Sequence, residues 1–167
     1  MTLGMFLQCT SQTSADLTNS AEIAENMEFT FHAKKAILMS TEIQSLGNTI
    51  PNYTPARMSQ LDNGYRIIID DKKLDVALPY FGEIFSGPVN TTSRYSLNFT
   101  SDNFSVDKSI NKKGNTVLVF MPKDVRRVRR MTMEIFNNGN ASVAVEAHLQ
   151  QPITFDGYIA ANVNAGQ

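Results

Sequence analysis

Two stretches decide the fold: Phe104-Ser-Val-Asp-Lys-Ser-Ile110-Asn-Lys-Lys-Gly-Asn-Thr116-Val-Leu-Val-Phe-Met121 and Arg130-Met-Thr-Met-Glu-Ile-Phe136-Asn-Asn-Gly-Asn-Ala141-Ser-Val-Ala-Val-Glu-Ala147. Four apolar-rich segments of strand length lie in them, Phe104–Ile110, Thr116–Met121, Arg130–Phe136 and Ala141–Ala147. Lys112-Lys113-Gly114-Asn115 closes the first pair and Asn137-Asn138-Gly139-Asn140 the second, because Gly and Asn accept the backbone angles that tight turns demand. Hairpins at this spacing, with no helical pattern between strands, describe an antiparallel meander and not a parallel α/β sheet. The segment Thr116–Met121 is apolar on both faces, which predicts a neighbour on its outer side as well, with the amino-terminal helix as one candidate.

Working outward, the same signals recur. Phe29, Phe31 and Ala33 alternate with Thr30, His32 and Lys34, the period-two pattern of a strand with one face buried, here Phe29–Ala36. Arg57–Leu61 and Tyr65–Ile69 flank Asp62-Asn63-Gly64, read as a hairpin with a type I′ turn. Asp70-Asp71-Lys72 then turns the chain into Leu74, Val76 and Leu78. Pro79 ends that ladder and Gly82 permits a turn. Arg94–Thr100 and Ile153–Ile159 add two more strands, and residues 40–56, rich in Ser, Thr, Asn, Gly and Pro, read as a connection. Ahead of the first strand, residues 19–28 predict a short helix capped by Asn19 with Glu22 three positions on. The fold class is therefore mainly β: an up-and-down meander of nine or ten strands, closed or nearly closed into a barrel so that its edges are covered, with a short N-terminal helix. The domain plan is a leader and spacer over 1–18, one barrel domain over 19–160, and a tail over 161–167.

Composition sets limits on function. The chain has 167 residues, 15 Lys+Arg against 16 Asp+Glu, two His and one Cys. That length suits one domain, and a net charge of −1 creates no field for nucleic acid. A single cysteine excludes a disulfide framework and a Cys-rich zinc site. No apolar run reaches the ~18 residues of a membrane-spanning helix.

The first lysine is Lys34, and the lone thiol, Cys9, closes the apolar run Met1-Thr-Leu-Gly-Met-Phe-Leu-Gln-Cys9 ahead of a polar stretch. This is the layout of the end of a bacterial lipoprotein signal, with Cys9 the lipid acceptor. Against it, no Lys or Arg precedes the run and Gln8 stands where a small residue is usual. The bland alternative is an unstructured leader with an idle thiol.

Catalytic signatures are absent from the sequence. His32 and His148 have no second ligand at metal spacing, Asp70-Asp71 sits at a turn beside Lys72-Lys73, and no nucleophile elbow, His-Glu-x-x-His or phosphate-cradling loop occurs. No metal, cofactor or catalytic residue is assigned. The dense basic run Lys123-Asp-Val-Arg126-Arg127-Val-Arg129-Arg130 is a candidate anion patch, set against the plainer reading of a solvated connection, since no aromatic residues interleave with it. Five Asn-x-Ser/Thr sequons, at Asn52, Asn90, Asn98, Asn103 and Asn140, fit the turn chemistry of a β protein.

Leu78-Pro79-Tyr80-Phe81-Gly82 following a hairpin, together with the opening Phe-x-Phe strand, Tyr95-Ser-Leu-Asn-Phe99, the Asn-Gly hairpin and the closing Gly157-Tyr158-Ile159, resembles domain of unknown function family 4251, found mainly as predicted lipoproteins of Bacteroidetes. The resemblance runs from about Phe29 through Ile159. It implies a lipocalin-like barrel and a lipid-anchored place in the cell envelope, periplasm or outer membrane, and it supports the lipidation of Cys9. It supplies no activity. Such families often carry Arg after the signature, where this chain has Glu83. Pro79 and Gly82 are expected to bend the chain while Tyr80 and Phe81 either plug the barrel or form a ligand platform.

The expected function is a tethered binding module, with one small apolar ligand or lipid inside the barrel. Its contact with the membrane is through the anchor alone. The rival is a structural or assembly protein that meets a protein partner through a strand edge or an aromatic patch such as Tyr80-Phe81.

Overall fold

A computed structural model describes residues 22–37, 60–80, 96–148 and 150–162. Nine strands form one antiparallel sheet: β1 (Phe29–Ile37), β2 (Arg66–Asp70), β3 (Lys73–Pro79), β4 (Ser96–Ser101), β5 (Phe104–Ile110), β6 (Thr116–Pro122), β7 (Val128–Ile135), β8 (Asn140–Ala147) and β9 (Ile153–Ala161). Their spatial order is β4-β3-β2-β1-β9-β8-β7-β6-β5. The first and last strands pair with each other, and the sheet curls into a nearly closed barrel.

Where it stays open follows from strand direction. β1 to β4 alternate, and counting back from β1 through β9 and β8 to β5 also alternates, so β4 and β5 run the same way. They act as two halves of one long strand, broken at Asp102-Asn103. The first half pairs with β3 and the second with β6. Asp124 fastens the break: its carboxylate accepts from the Ser101 hydroxyl and from the backbone amides of Asp102 and Asn103, at 3.0 and 3.2 Å for the amides. The hydrogen bond from buried Ser101 leads the effects that hold Asp124 below the usual carboxylate range.

Period-two patterning fills the interior. Phe29, Ile69 and Leu74 share one inner row, and Ala36, Phe155, Val143, Met133 and Leu118 share another. Phe31, Phe120 and Phe155 are fully buried, and Phe104 packs on Phe120 at 6.4 Å between ring centroids. Asn162 staples the lower rim, accepting from Thr30 Oγ1 at 2.7 Å and donating to the Ile69 carbonyl at 2.9 Å.

The helix ends earlier than its sequence pattern, and residues 19–21 lie outside the described residues. Residues 22–26 form α1, and Met27 ends it in the left-handed region at φ 55°. Ala24 belongs to the barrel core, and Glu25 pairs with Lys108, whose cross-strand partner is core residue Leu118. The helix thus covers the core side of the barrel and does not back the outer face of β6.

Asn63-Gly64 behaves differently from a hairpin turn. Gly64 has φ 124° but Asn63 is not in the left-handed region, so the turn is not type I′. Both flanks attach to β1: Gln60 bridges Lys35, the Leu61 amide donates to the Lys34 carbonyl at 2.9 Å, and the Ala33 amide donates to the Tyr65 carbonyl at 3.0 Å. Residues 61–65 are an excursion within one partner of β1, where two strands were expected. Residues 57–59 lie outside the described residues. The other turns match their sequence signals: the Gly114 and Gly139 amides each close on the residue three back, with φ of 80° and 81°.

Candidate functional site

One concavity formed by the described residues lies on the outer wall, across β7, β8, β9 and β1. It is an open groove of about 550 Å3. A β-bulge makes it. Ala33 pairs with Gly157 and Lys35 with Asp156, leaving Lys34 as the extra residue. Consequently both lysines point outward while Ala33 and Ala36 both stay in the core. Gly157 makes the bulge possible, since a Cβ there would lie 1.9 Å from the His32 carbonyl oxygen.

From the bulge the register carries one outward row across four strands, Lys35, Asp156, Ser142 and Glu134. Glu134 is held in place: the side-chain amides of Asn111 and Asn115 both donate to its Oε1 at 2.7 Å. The Asn115 bond, helped by Asn111 and the charge of Lys113 against partial desolvation, keeps this carboxyl below its ordinary range. Both asparagines belong to the β5–β6 turn, where Asn111 Oδ1 also accepts from the Lys113 and Asn115 amides.

The adjoining row supplies the aromatic wall. Tyr158, 39% exposed, stacks on His32 with centroids 5.0 Å apart and planes 20° from parallel. The Lys34 ammonium sits 5.7 Å from the Tyr158 ring centroid and donates to Asn63 Oδ1 at 2.7 Å. Partial burial, with Lys34 and Arg66 adding to it, lowers the His32 pKa. Phe136 closes the β7 end.

Residues singled out from sequence fall elsewhere. Leu78 and Tyr80 are core, with Tyr80 1% exposed and its hydroxyl donating to the Gln151 carbonyl at 3.0 Å. Tyr80 therefore ties β3 to the start of β9 and presents no surface to a partner. Pro79 is the last residue of β3, paired with Ser96. Phe81, Gly82 and Cys9 lie outside the described residues. Of the four arginines, Arg127 donates to the Ser96 carbonyl, Arg130 pairs with Glu146, and Arg126 and Arg129 are exposed. Arg129 is itself the extra residue of a second bulge. Among the described residues no group of three or more His, Cys, Asp or Glu is placed to hold a metal, and no helix is long and apolar enough to cross a membrane.

The model of a domain of unknown function, DUF4251, matches residues 12–159. The chain belongs to the DUF4251 family. A crystal structure of a DUF4251 family protein from Bacteroides eggerthii DSM 20697, at 1.95 Å resolution, is similar with a TM-score of 0.56 and 15% identity, covering 90% of this chain and 92% of that one. At that identity the likeness concerns the fold. No curated protein matches.

Within Leu78–Gly82, the described residues Leu78 and Tyr80 serve packing, while of the groove residues only Gly157 and Tyr158 stood in a motif quoted from the sequence. The sequence signal for them was the failure of alternation at Lys34-Lys35, where a period-two strand places two charges in succession.

Proposed function

We propose that this DUF4251 protein is a non-enzymatic binding module of the cell envelope, tethered through a lipid on Cys9, that takes its ligand on the outer wall of the barrel. The observation that carries the binding reading is the contrast between the two surfaces. Large side chains, among them Phe29, Phe31, Phe120, Phe155 and Tyr80, occupy the interior. The groove outside is open and of small-molecule size, within the ~300–1,000 Å3 of ordinary ligand sites. An apolar guest inside the barrel would have to displace core side chains, which costs about 2–5 kcal/mol for each large one removed from its packing.

Amide-resolved NMR screening of the 15N-labelled protein against mixed polar metabolites and fatty acids tests this. Shift changes confined to β1, β8 and β9 around Gly157 are expected. Changes confined to interior methyls on adding fatty acid would overturn the outer-wall reading. Membrane fractionation of Cys9→Ala checks the tether, and undiminished membrane retention would count against it.

A second reading, a protein partner added as a strand, rests on β4 and β5 each pairing along one side only among the described residues. Crosslinking in intact cells from β5 positions separates it from the first.

A further inference from the structure

We infer that the outer groove takes a short zwitterionic ligand, a peptide of about three residues with free amino and carboxylate ends. The inference rests on the binding reading above and assigns the chemistry of its ligand.

The charge layout is the starting point. A carboxylate, Glu134, stands at the β7 end of the groove, and ammonium groups, Lys34 and Lys35, stand at the β1 end, where Asp156 of β9 is the direct neighbour of Lys35. Glu134 and Lys35 end a row of four adjacent strands, so their backbones are about 14 Å apart, three strand spacings of ~4.8 Å. An extended tripeptide, at ~3.3–3.6 Å per residue, covers about 10–11 Å of that distance, and the terminal side chains have the remainder to bridge.

The charges are also available. Asp156 and Lys35 are direct cross-strand partners of opposite sign, yet no ion pair joins them, and among the described residues neither has another charged partner. Glu134 receives both asparagine amides on Oε1, leaving Oε2 for a ligand ammonium. A carboxylate fixed in this way costs little side-chain entropy on binding, and pre-organisation of that kind favours affinity. Lys34 is likewise positioned by Asn63 and Tyr158. Between the charged ends, the Tyr158 ring and Phe136 offer apolar wall, and Ser142 with Asn140 offers hydrogen-bonding groups to a peptide backbone. A purely anionic ligand would meet the two carboxylates, and a purely cationic one the two lysines.

The test is NMR titration and calorimetry of the intact protein with L-trialanine, N-acetyl-trialanine and trialanine amide. Free trialanine should shift the amides around Lys34–Lys35, Ser142 and Asp156–Tyr158. Blocking either end should weaken it by about fivefold, the value of one solvent-exposed charge contact. Glu134→Gln should weaken trialanine by a similar factor while leaving the affinity of the acetylated peptide unchanged. Lys35→Met should do the converse with the amide. Equal binding of all three peptides, or none by free trialanine at 10-fold the concentration that saturates any other groove ligand, overturns the zwitterion assignment. If another ligand class still shifts the groove amides, the outer-wall reading survives that failure. If nothing does, both fall.

Discussion

Replacing Gly157 by Ala puts the close approach of β9 to β1 to the test. The added Cβ would meet the His32 carbonyl oxygen at 1.9 Å, its carbon at 2.9 Å and Phe31 Cε2 at 3.1 Å. Real Cβ contacts essentially never fall below 3.0 Å, so β1 and β9 must part by about 1.1 Å. Backbone hydrogen bonds of ~2.9 Å do not survive that displacement. Losing one or two of them, at ~0.5–1.5 kcal/mol each, adds to overpacking against the Phe31 ring, at ~1–3 kcal/mol. The sum is about 3 kcal/mol, a large part of the ~5–15 kcal/mol that stabilises a typical domain. For a chain of this size each kcal/mol moves the melting temperature by ~2–4 °C, so a fall of about 6–12 °C is expected by circular dichroism.

Gly114→Ala supplies the internal control. Gly114 has φ 80° with nothing within 4 Å of its added Cβ, so only the left-handed backbone penalty applies, ~1–2 kcal/mol. It should melt measurably above Gly157→Ala. If Gly157→Ala unfolds within 2 °C of the wild type, the close approach is wrong. The bulge that sends Lys34 and Lys35 outward together would then need another explanation.

Tyr80→Phe removes the hydrogen bond to Gln151 while keeping the ring, and a loss of about 1–2 kcal/mol in urea denaturation is expected. An unchanged midpoint would deny that the hydroxyl is a latch. Asp124 is held below its ordinary pKa, so its stabilising effect is full above the usual carboxylate range and fades as pH falls through the lowered folded value. The stability gap between wild type and Asp124→Ala should therefore narrow on acidification; a gap that stays constant down to pH 2 refutes the role of its charge. His32 has a lowered pKa, so the unfolded chain takes up its proton first: stability falls as pH drops below the ordinary histidine value, toward the folded one. Thermal melts of His32→Phe against wild type between pH 7.5 and 5 should show that slope only in the wild type.

Much of this barrel was legible in the sequence because hairpins are local. The Gly114 and Gly139 turns lie within a few residues of the strands that they join, and their apolar alternation marks the inner face without knowledge of the rest. Tyr80 was visible as a large ring beside Pro79, but whether it faced a ligand or the core depended on Gln151, 71 residues away. The groove depended on still more distant relations. Glu134, Ser142, Asp156 and Lys35 come from four separate strands, and only pairing register puts them in one line. Asn63-Gly64 misled for the same reason. A local turn signal cannot say whether its two flanks pair with each other or with a third strand, and here both pair with β1.

Strand counting has a limit of the same kind, and it explains the seam. In an up-and-down meander each connection reverses direction, so a ring of antiparallel strands can close only on an even number. Nine strands whose first and last pair antiparallel must contain one junction at which the chain does not reverse. A regular hairpin cannot provide that junction, whereas a break in a continuing strand can. Ser101-Asp102-Asn103 is that break, and it forces the backbone amides of residues 102 and 103 out of any ladder. Residues 102 and 103 are exposed, and Asp124, arriving from the β6–β7 turn, accepts from both amides while also taking the buried Ser101 hydroxyl. The Lys123 amide, next to it, donates to the Asn103 carbonyl at 2.8 Å. One turn residue therefore lets β4 and β5 serve as a single stave of a nearly closed eight-staved barrel, and among the described residues each keeps one side without a strand partner.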